Sequence, residues 1–293
     1  MIKYFLWKQK KTIFSFEVFP PKKTSPVETV YKTLDELRDL NPDFISVTYG
    51  AGGSENCETT LDIVKRIKNV CGVPSASHLT CLYLTKKDAE NVLKSFQSEG
   101  VENILALRGD KIEGREPFGE FNYAVDLVKF IKNFDSKRTD GKCFKIFGSC
   151  YPEKHPDAVN MVDDILHLKE KCDAGVTHLL SQLFFENENF YNFVEKARCA
   201  GINVPIEAGI MPVTNKRQIE RMVSKCGVVL PKKYIAMMEK YGDNNEAIRD
   251  AGIAYAINQI VDLVSQGADG IHLYTMNNPY IAKKISEATK SLF

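Results

Sequence analysis

TIFSFEVFPP, residues 12–21, is a short run of β-branched and aromatic residues that stops at two prolines. Its length and composition favour a strand over a buried helix, and the prolines end it. An amphipathic stretch follows, VETVYKTLDELRDL from Val27 to Leu40, with the apolar spacing of a helix. The same pairing recurs to the end of the chain. Strands are expected at Thr12–Phe19, Phe44–Tyr49, Ser75–Cys81, Asn103–Leu107, Phe144–Tyr151, His178–Phe185, Val204–Ile210 and Gly270–Tyr274. Helices are expected from Val27, over Cys57–Val70, Lys86–Glu99, Tyr123–Asn133, Asp157–Ala174, Asn189–Ala200 and Pro279–Thr289, with an extended helical region from Asn215 to Gln266. Alternation of this kind implies a parallel sheet, and eight units favour an α/β fold of the closed (β/α)8 TIM-barrel type over an open doubly wound sheet. No linker divides the chain, so residues 1–293 are expected to form a single domain with a short N-terminal extension, 1–11, and an insertion at Ser224–Asn245.

The 293 residues are 44% hydrophobic and 26% charged, with a net charge of +1, the balance of an ordinary globular enzyme with no global field toward nucleic acid. Eight cysteines occur with no C-x-x-C pair and no zinc-finger spacing, so reduced, mostly buried thiols are expected. The opening MIKYFLWKQKK is too short in its apolar part for a signal sequence, and no run of about 18 apolar residues occurs, so a cytoplasmic protein without a membrane span is expected.

In a barrel of this type the active site lies at the C-terminal ends of the strands. Those ends are polar here: Glu17, Thr48-Tyr49, His78 and Thr80, Arg108-Gly109-Asp110, Tyr151 with His155 beyond it, Gln182, and Tyr274-Thr275. Glu17 lies between Phe16 and Val18. Pointing into the barrel mouth, it would have a raised pKa and act as an acid near neutrality; otherwise it would pair with a lysine or cap the following turn. Asp110 is either the partner of Arg108 or a carboxylate beside a cofactor. The five histidines are too dispersed for a metal site, and the H-x-H pair that barrel metallohydrolases use at the end of strand one is replaced by FEVF. Gly50-Ala51-Gly52-Gly53-Ser54-Glu55 begins like a dinucleotide fingerprint but has Glu at its sixth position, so no Rossmann unit is expected.

Together FSFEVFPP (14–21), FISVTYGAG (44–52), SHLTC (77–81), ILALRGD (104–110), YPEKHPDA (151–158), LKEKCDAG (168–175), SQLFF (181–185), EAGIMPVTN (207–215) and HLYTMN (272–277) resemble the methylenetetrahydrofolate reductases in order and spacing over nearly the whole chain. The resemblance implies non-covalent FAD at the strand ends. It also implies hydride transfer from NADH or NADPH to the flavin, then to 5,10-methylenetetrahydrofolate, giving 5-methyltetrahydrofolate. Opening the methylene bridge to an iminium ion needs a proton at N10, a task the resemblance gives to Glu17. It places Asp110 near the flavin N1–C2 edge, where a negative charge disfavours the anionic reduced flavin. Thr48, Gln182, Gln218 and Tyr274 are implied at the substrate. Tyr49, Ala51, His78, Arg108, Gly109, Asp110, Tyr123, Ala124, Tyr151, His155, Ala158, Asp164, His167 and Lys171 are implied at FAD, with His155 and Lys171 neutralising its pyrophosphate. Asp164, His167 and Lys171 are spaced to share one helix face.

The chain departs from the family pattern at Asn278, where many bacterial members carry an arginine for the folate tail, at Met222, where an aromatic residue is common, and at His167 and Glu170. Ending at Phe293, it is expected to lack the regulatory domain of animal relatives and inhibition by S-adenosylmethionine. A homo-oligomer is expected. Two other readings predict different partners: a flavin- or folate-binding barrel subunit fed electrons by a partner protein, and a metal-dependent hydrolase with bound zinc or iron.

Overall fold

The computed structural model describes residues 11–21, 25–49 and 57–293. Eight parallel strands close into a barrel in chain order: β1 Ile13–Val18, β2 Phe44–Val47, β3 Ser75–Thr80, β4 Asn103–Leu107, β5 Lys145–Cys150, β6 Val176–Ser181, β7 Ile206–Ile210 and β8 Gly270–Tyr274. Closure is made by β8 on β1, in the register Ser15 to His272 and Glu17 to Tyr274. The helices are α1 Glu28–Arg38, α2 Cys57–Asn69, α3 Lys86–Ser98, α4 Ala124–Asp135, α5 Met161–Ala174, α6 Asn187–Cys199, α7 Lys216–Cys226, α8 Lys232–Tyr241, α9 Asn245–Ser265 and α10 Pro279–Thr289. None is long and apolar enough to cross a membrane among the described residues.

The two-residue period of each strand sorts its side chains. On β1, Phe14, Phe16 and Val18 join the large apolar layer under the helices, while Ile13 packs with Phe44, Ala76, Leu105, Phe147 and Leu180 in a smaller cluster inside the barrel. Ser15 and Glu17 share Ile13's phase and are buried, Ile13 itself partly so. Their inward neighbours on β8 and β7 are His272 and Glu207, both without solvent exposure. The barrel interior is therefore apolar at its N-terminal end and polar toward the mouth. On the outside, α1 buries Val30, Thr33, Leu34 and Leu37, the single stripe that its amphipathic sequence requires.

Most boundaries fall within two residues of the sequence reading, and three places differ by more. Helix α5 starts at Met161, not Asp157, because Asn160 takes the N-cap, its side chain accepting from the Asp163 N–H; the residues before it turn, with Lys154 at φ 83°. Strand β6 begins at Val176 and ends at Ser181, which puts Gln182 one residue past the strand. The region 215–266 is three helices: α7 is capped by Gly227 in the left-handed conformation, and α8 starts at Lys232 after Pro231 as its N-cap. There Tyr234 and Met238 of α8, Ile219 of α7 and Ile248 of α9 enclose a second apolar cluster with Leu183, Phe185, Met211 and Val213. The insertion thus covers the β6 and β7 ends of the mouth. Residues 1–10 of the N-terminal extension and the segment 50–56, including Ala51 and the glycine-rich run, lie outside the described residues.

Candidate active site

A cleft of about 1480 Å³ opens at the C-terminal ends of the strands. Glu17 stands on its floor, 6% exposed. Its Oε2 lies 3.4 Å from His78 Nε2 of β3 and 3.5 Å from His272 Nε2 of β8. Among the described residues no lysine or arginine is within ion-pair distance of it. The turn beyond β1 is held by other groups: the Glu17 carbonyl accepts from Thr275 Oγ1 at 2.7 Å, and the Asn277 amide bonds both the N–H and the C=O of Phe19 at 2.8 Å. These bonds use the backbone and leave the Glu17 carboxyl to the two imidazoles. Burial drives the pKa of His78 down to about 4, with Glu17 pulling the other way, so His78 is neutral at pH 7.

The β4 to α5 side of the cleft is polar and aromatic. Arg108 pairs with Asp157 at 2.8 Å and not with Asp110, which is exposed at the rim. Gly109 turns the chain there at φ +87°; a Cβ would meet the Thr80 Cβ at 3.1 Å, so the backbone lies flat against β3. Tyr151 packs edge-on against His155, and Tyr123 stacks on His167 with ring centroids 6.5 Å apart. Burial pushes the Tyr151 hydroxyl up to about 12. His155 Nδ1 accepts from the Asp157 N–H at 3.0 Å, which leaves N–H on its Nε2. Burial, then the Arg108 charge, lowers the pKa of His155, so it enters the cleft as a neutral donor and not as the cation the sequence reading supposed. Lys171, partly buried, supplies the amine on this side: it donates to the Ser149 carbonyl at 2.7 Å, and desolvation lowers its pKa. Asp164 accepts from the His155 N–H at 2.8 Å. Asp164, His167 and Lys171 all line the cleft from α5, and Ala124 and Ala158 line it beside them.

The opposite wall carries Thr48, Tyr49, Gln182, Leu183, Met211, Met222, Cys226, Tyr274 and Met276. Gln182 Oε1 accepts from the Leu183 N–H at 2.9 Å, which fixes the amide's orientation; among the described residues its NH2 has no partner. The Tyr274 hydroxyl donates to the Ser181 carbonyl at 2.8 Å. Gly209 lies beneath it, where a Cβ would sit 2.2 Å from that same carbonyl and 2.9 Å from the Tyr274 ring. Gln218 does not line the cleft; its Oε1 accepts from Thr214 at 3.3 Å, and α7 presents Met222 and Cys226 instead. Asn278 caps α10 by accepting from the Ile281 N–H. Among the described residues no group of three or more His, Cys, Asp or Glu is placed to hold a metal ion.

The sequence reading missed a set of residues beneath Glu17. Glu207 accepts from Ser15 Oγ at 2.5 Å and bonds His178 Nε2 at 2.5 Å; Ser15 Oγ lies 2.7 Å from His272 Nδ1. The signal was present: Glu207 is a lone carboxylate in an apolar strand, as Glu17 is. What the chain alone does not give is the register that brings β1, β7 and β8 together.

Chemically, a buried carboxyl between imidazoles is suited to proton donation to a ligand over the barrel mouth. The long cleft, with a partly buried lysine, neutral donors and aromatic rings on one side and an amide among apolar groups on the other, suits an extended phosphate-bearing ligand beside a second, planar one.

The family model for methylenetetrahydrofolate reductase matches residues 4–290. The chain is 37% identical over 282 residues to methylenetetrahydrofolate reductase (NADH) 1 of Arabidopsis thaliana, covering 92% of this chain and 47% of that one, so it spans about half the length of the plant relatives. It is 34% identical over 263 residues to the 5,10-methylenetetrahydrofolate reductase of Escherichia coli (strain K12), covering 90% of this chain and 86% of that one. Among solved structures, an uncharacterized protein from Clostridium thermocellum that binds two copies of 5-methyl-5,6,7,8-tetrahydrofolic acid superposes with a TM-score of 0.66 at 15% identity, covering 97% and 96% of the two chains. At that identity the likeness concerns the fold.

Proposed function

The chain belongs to the methylenetetrahydrofolate reductase family, and we propose that it reduces 5,10-methylenetetrahydrofolate to 5-methyltetrahydrofolate with FAD and a reduced nicotinamide, Glu17 being the general acid. The observation that carries the reading is Glu17 itself: a buried carboxyl at the centre of the mouth, flanked by two imidazoles and bound to no cation among the described residues. The names of the plant relatives favour NADH as the donor.

The residues present fit FAD. Lys171, an amine suited to a phosphate oxygen, is partly buried and donates to the Ser149 backbone carbonyl. Asp164 suits a sugar hydroxyl, Tyr151 and Tyr123 suit ring faces, and the Gly109 backbone leaves room for close approach. Arg108, Ala124, Ala158, His155 and His167 complete the set on the same side of the cleft, and His78 on β3 and Tyr49 beyond β2 line it as well. Bound there, the flavin would accept hydride from the nicotinamide and return it to the folate. Asp110 would keep negative charge at the rim, favouring a cationic iminium form of the folate. Gln182, with its oxygen held by Leu183, presents its NH2 to a pterin or a carboxamide. Thr48 and Tyr274 close the substrate side.

Glu17 has one task in this scheme: to protonate N10 so that the methylene bridge opens. The nicotinamide step needs no acid. Glu17→Gln should therefore retain FAD and be reduced by NADH at close to the native rate, while hydride transfer to the folate slows by about 100- to 10,000-fold. Stopped-flow spectroscopy at the flavin band separates the two steps. Folate reduction at the native rate would remove Glu17 from the role.

A further inference from the structure

The floor of the barrel carries more ionisable groups than the proposed chemistry uses. Glu207 has no solvent exposure and lies one layer below Glu17. An unpartnered carboxylate at such a place is costly, and its partners are specific. Oε1 bonds His178 Nε2 at 2.5 Å, and Oε2 accepts from Ser15 Oγ at 2.5 Å. Ser15 Oγ lies 2.7 Å from His272 Nδ1. His272 Nε2 in turn faces Ser46 Oγ at 3.4 Å and Glu17 Oε2 at 3.5 Å. The order Glu207, Ser15, His272, Glu17 crosses the barrel from β7 to β1 to β8 and back to β1.

The chain has a direction. A hydroxyl has one hydrogen to give. An oxygen of Glu207 that carries no proton only accepts, so Ser15 donates to it. The Ser15 oxygen must then accept from His272, which fixes the imidazole hydrogen on Nδ1. In the neutral imidazole Nε2 is left with its lone pair, and that lone pair faces Glu17. An acceptor there bonds the protonated carboxyl and repels the ionised one. Protonation of His178 does not alter this order, because Glu207 Oε2 accepts from Ser15 in either case.

Building on the proposed function, we infer that Glu207 is a positioning residue that acts through Ser15 and His272 to hold Glu17 in its proton-bearing form, ready to donate. Among the described residues the titratable groups facing Glu17 are His78 from β3 and His272 and Tyr274 from β8. Glu207 faces His178 from β6, and His272 faces Glu17, His78 and, through Ser15, Glu207. Ser15 and Glu207 do not line the cleft, so a variant at either changes the chain without removing a ligand contact.

The test uses the FAD-loaded protein with Ser15→Ala, which removes the hydroxyl, and Glu207→Gln, which keeps the volume. Nitrogen-15 NMR of histidine-labelled protein reports the tautomer directly, with the His272 signal assigned by its loss in His272→Asn. The wild type is expected to carry hydrogen on His272 Nδ1, and Ser15→Ala to shift it toward Nε2. The pH profile of the folate step is then followed. Its alkaline limb should move to lower pH by about one unit in Ser15→Ala, while the nicotinamide step keeps its rate. Glu207→Gln should do the same when its NH2 faces Ser15; with its oxygen there it should restore the native tautomer and profile together. A wild-type His272 with hydrogen on Nε2 would overturn the inference, as would an altered tautomer with an unmoved limb. The outcomes stay separate from the parent reading: if Glu17→Gln reduces folate normally, the acid assignment fails, whereas the tautomer is read without any turnover.

Discussion

His78 illustrates how burial sets protonation at a single residue: removed from water, it keeps the neutral form down to a pH of about 4, against an ordinary value of 6.5. The unfolded chain takes up that proton at higher pH than the folded one, so the contribution of His78 to stability is present above about pH 6.5 and is lost as pH falls toward 4. Urea denaturation of the wild type and His78→Gln should differ in slope across this window, the wild type losing up to about 3 kcal/mol more on acidification; parallel slopes would contradict a buried, neutral His78. Glu17 was legible in the sequence because one carboxylate interrupts FSFEVF just before two prolines. Glu207 in IEAGI has the same look, but its meaning depends on Ser15 and His272, 192 and 65 residues away by number, and only strand register joins them. Arg108 likewise pairs across the cleft with Asp157, not with its chain neighbour Asp110, because the turn at Gly109 separates the two side chains.

The elements were readable where two periods alternate cleanly. Strands β4 and β8 and helix α10 have the bounds expected from their sequences. Helix α5 was shortened by the Asn160 cap, a local competition between side chain and backbone that apolar spacing does not report. The long helical region, expected to hold more over Ser224–Asn245 than one helix needs, breaks at Gly227 and Pro231, and its middle piece, α8, packs with α7 and α9. Packing of α9 against the β7–α7 connection is close: a Cβ on Gly252 would lie 1.8 Å from the Val213 carbonyl oxygen. Backbone has to move to admit it. Gly252→Ala is expected to lower stability by about 1–3 kcal/mol, read from the chemical denaturation midpoint; an unchanged midpoint would mean that α9 does not sit against this connection.

At the scale of the whole molecule, eight parallel strands place Glu17, His78, Arg108, Tyr151, Gln182 and Tyr274 around one mouth although the chain spreads them over more than 250 residues. The helices outside supply the apolar layer, and the insertion walls the β6 and β7 side. Polar groups at the mouth are thus arranged by the barrel and not by local sequence, which is why the strand-end list held together as a cleft while Gln218, on α7, turned to Thr214. The central claim, a flavin-carried hydride delivered to a folate, is tested most directly by an anaerobic visible spectrum of the FAD-loaded protein, first with NADH and then with 5,10-methylenetetrahydrofolate. The flavin bands are expected to bleach with the nicotinamide and to return with the folate. A protein that takes up no FAD, or a reduced flavin that the folate leaves bleached, would contradict it.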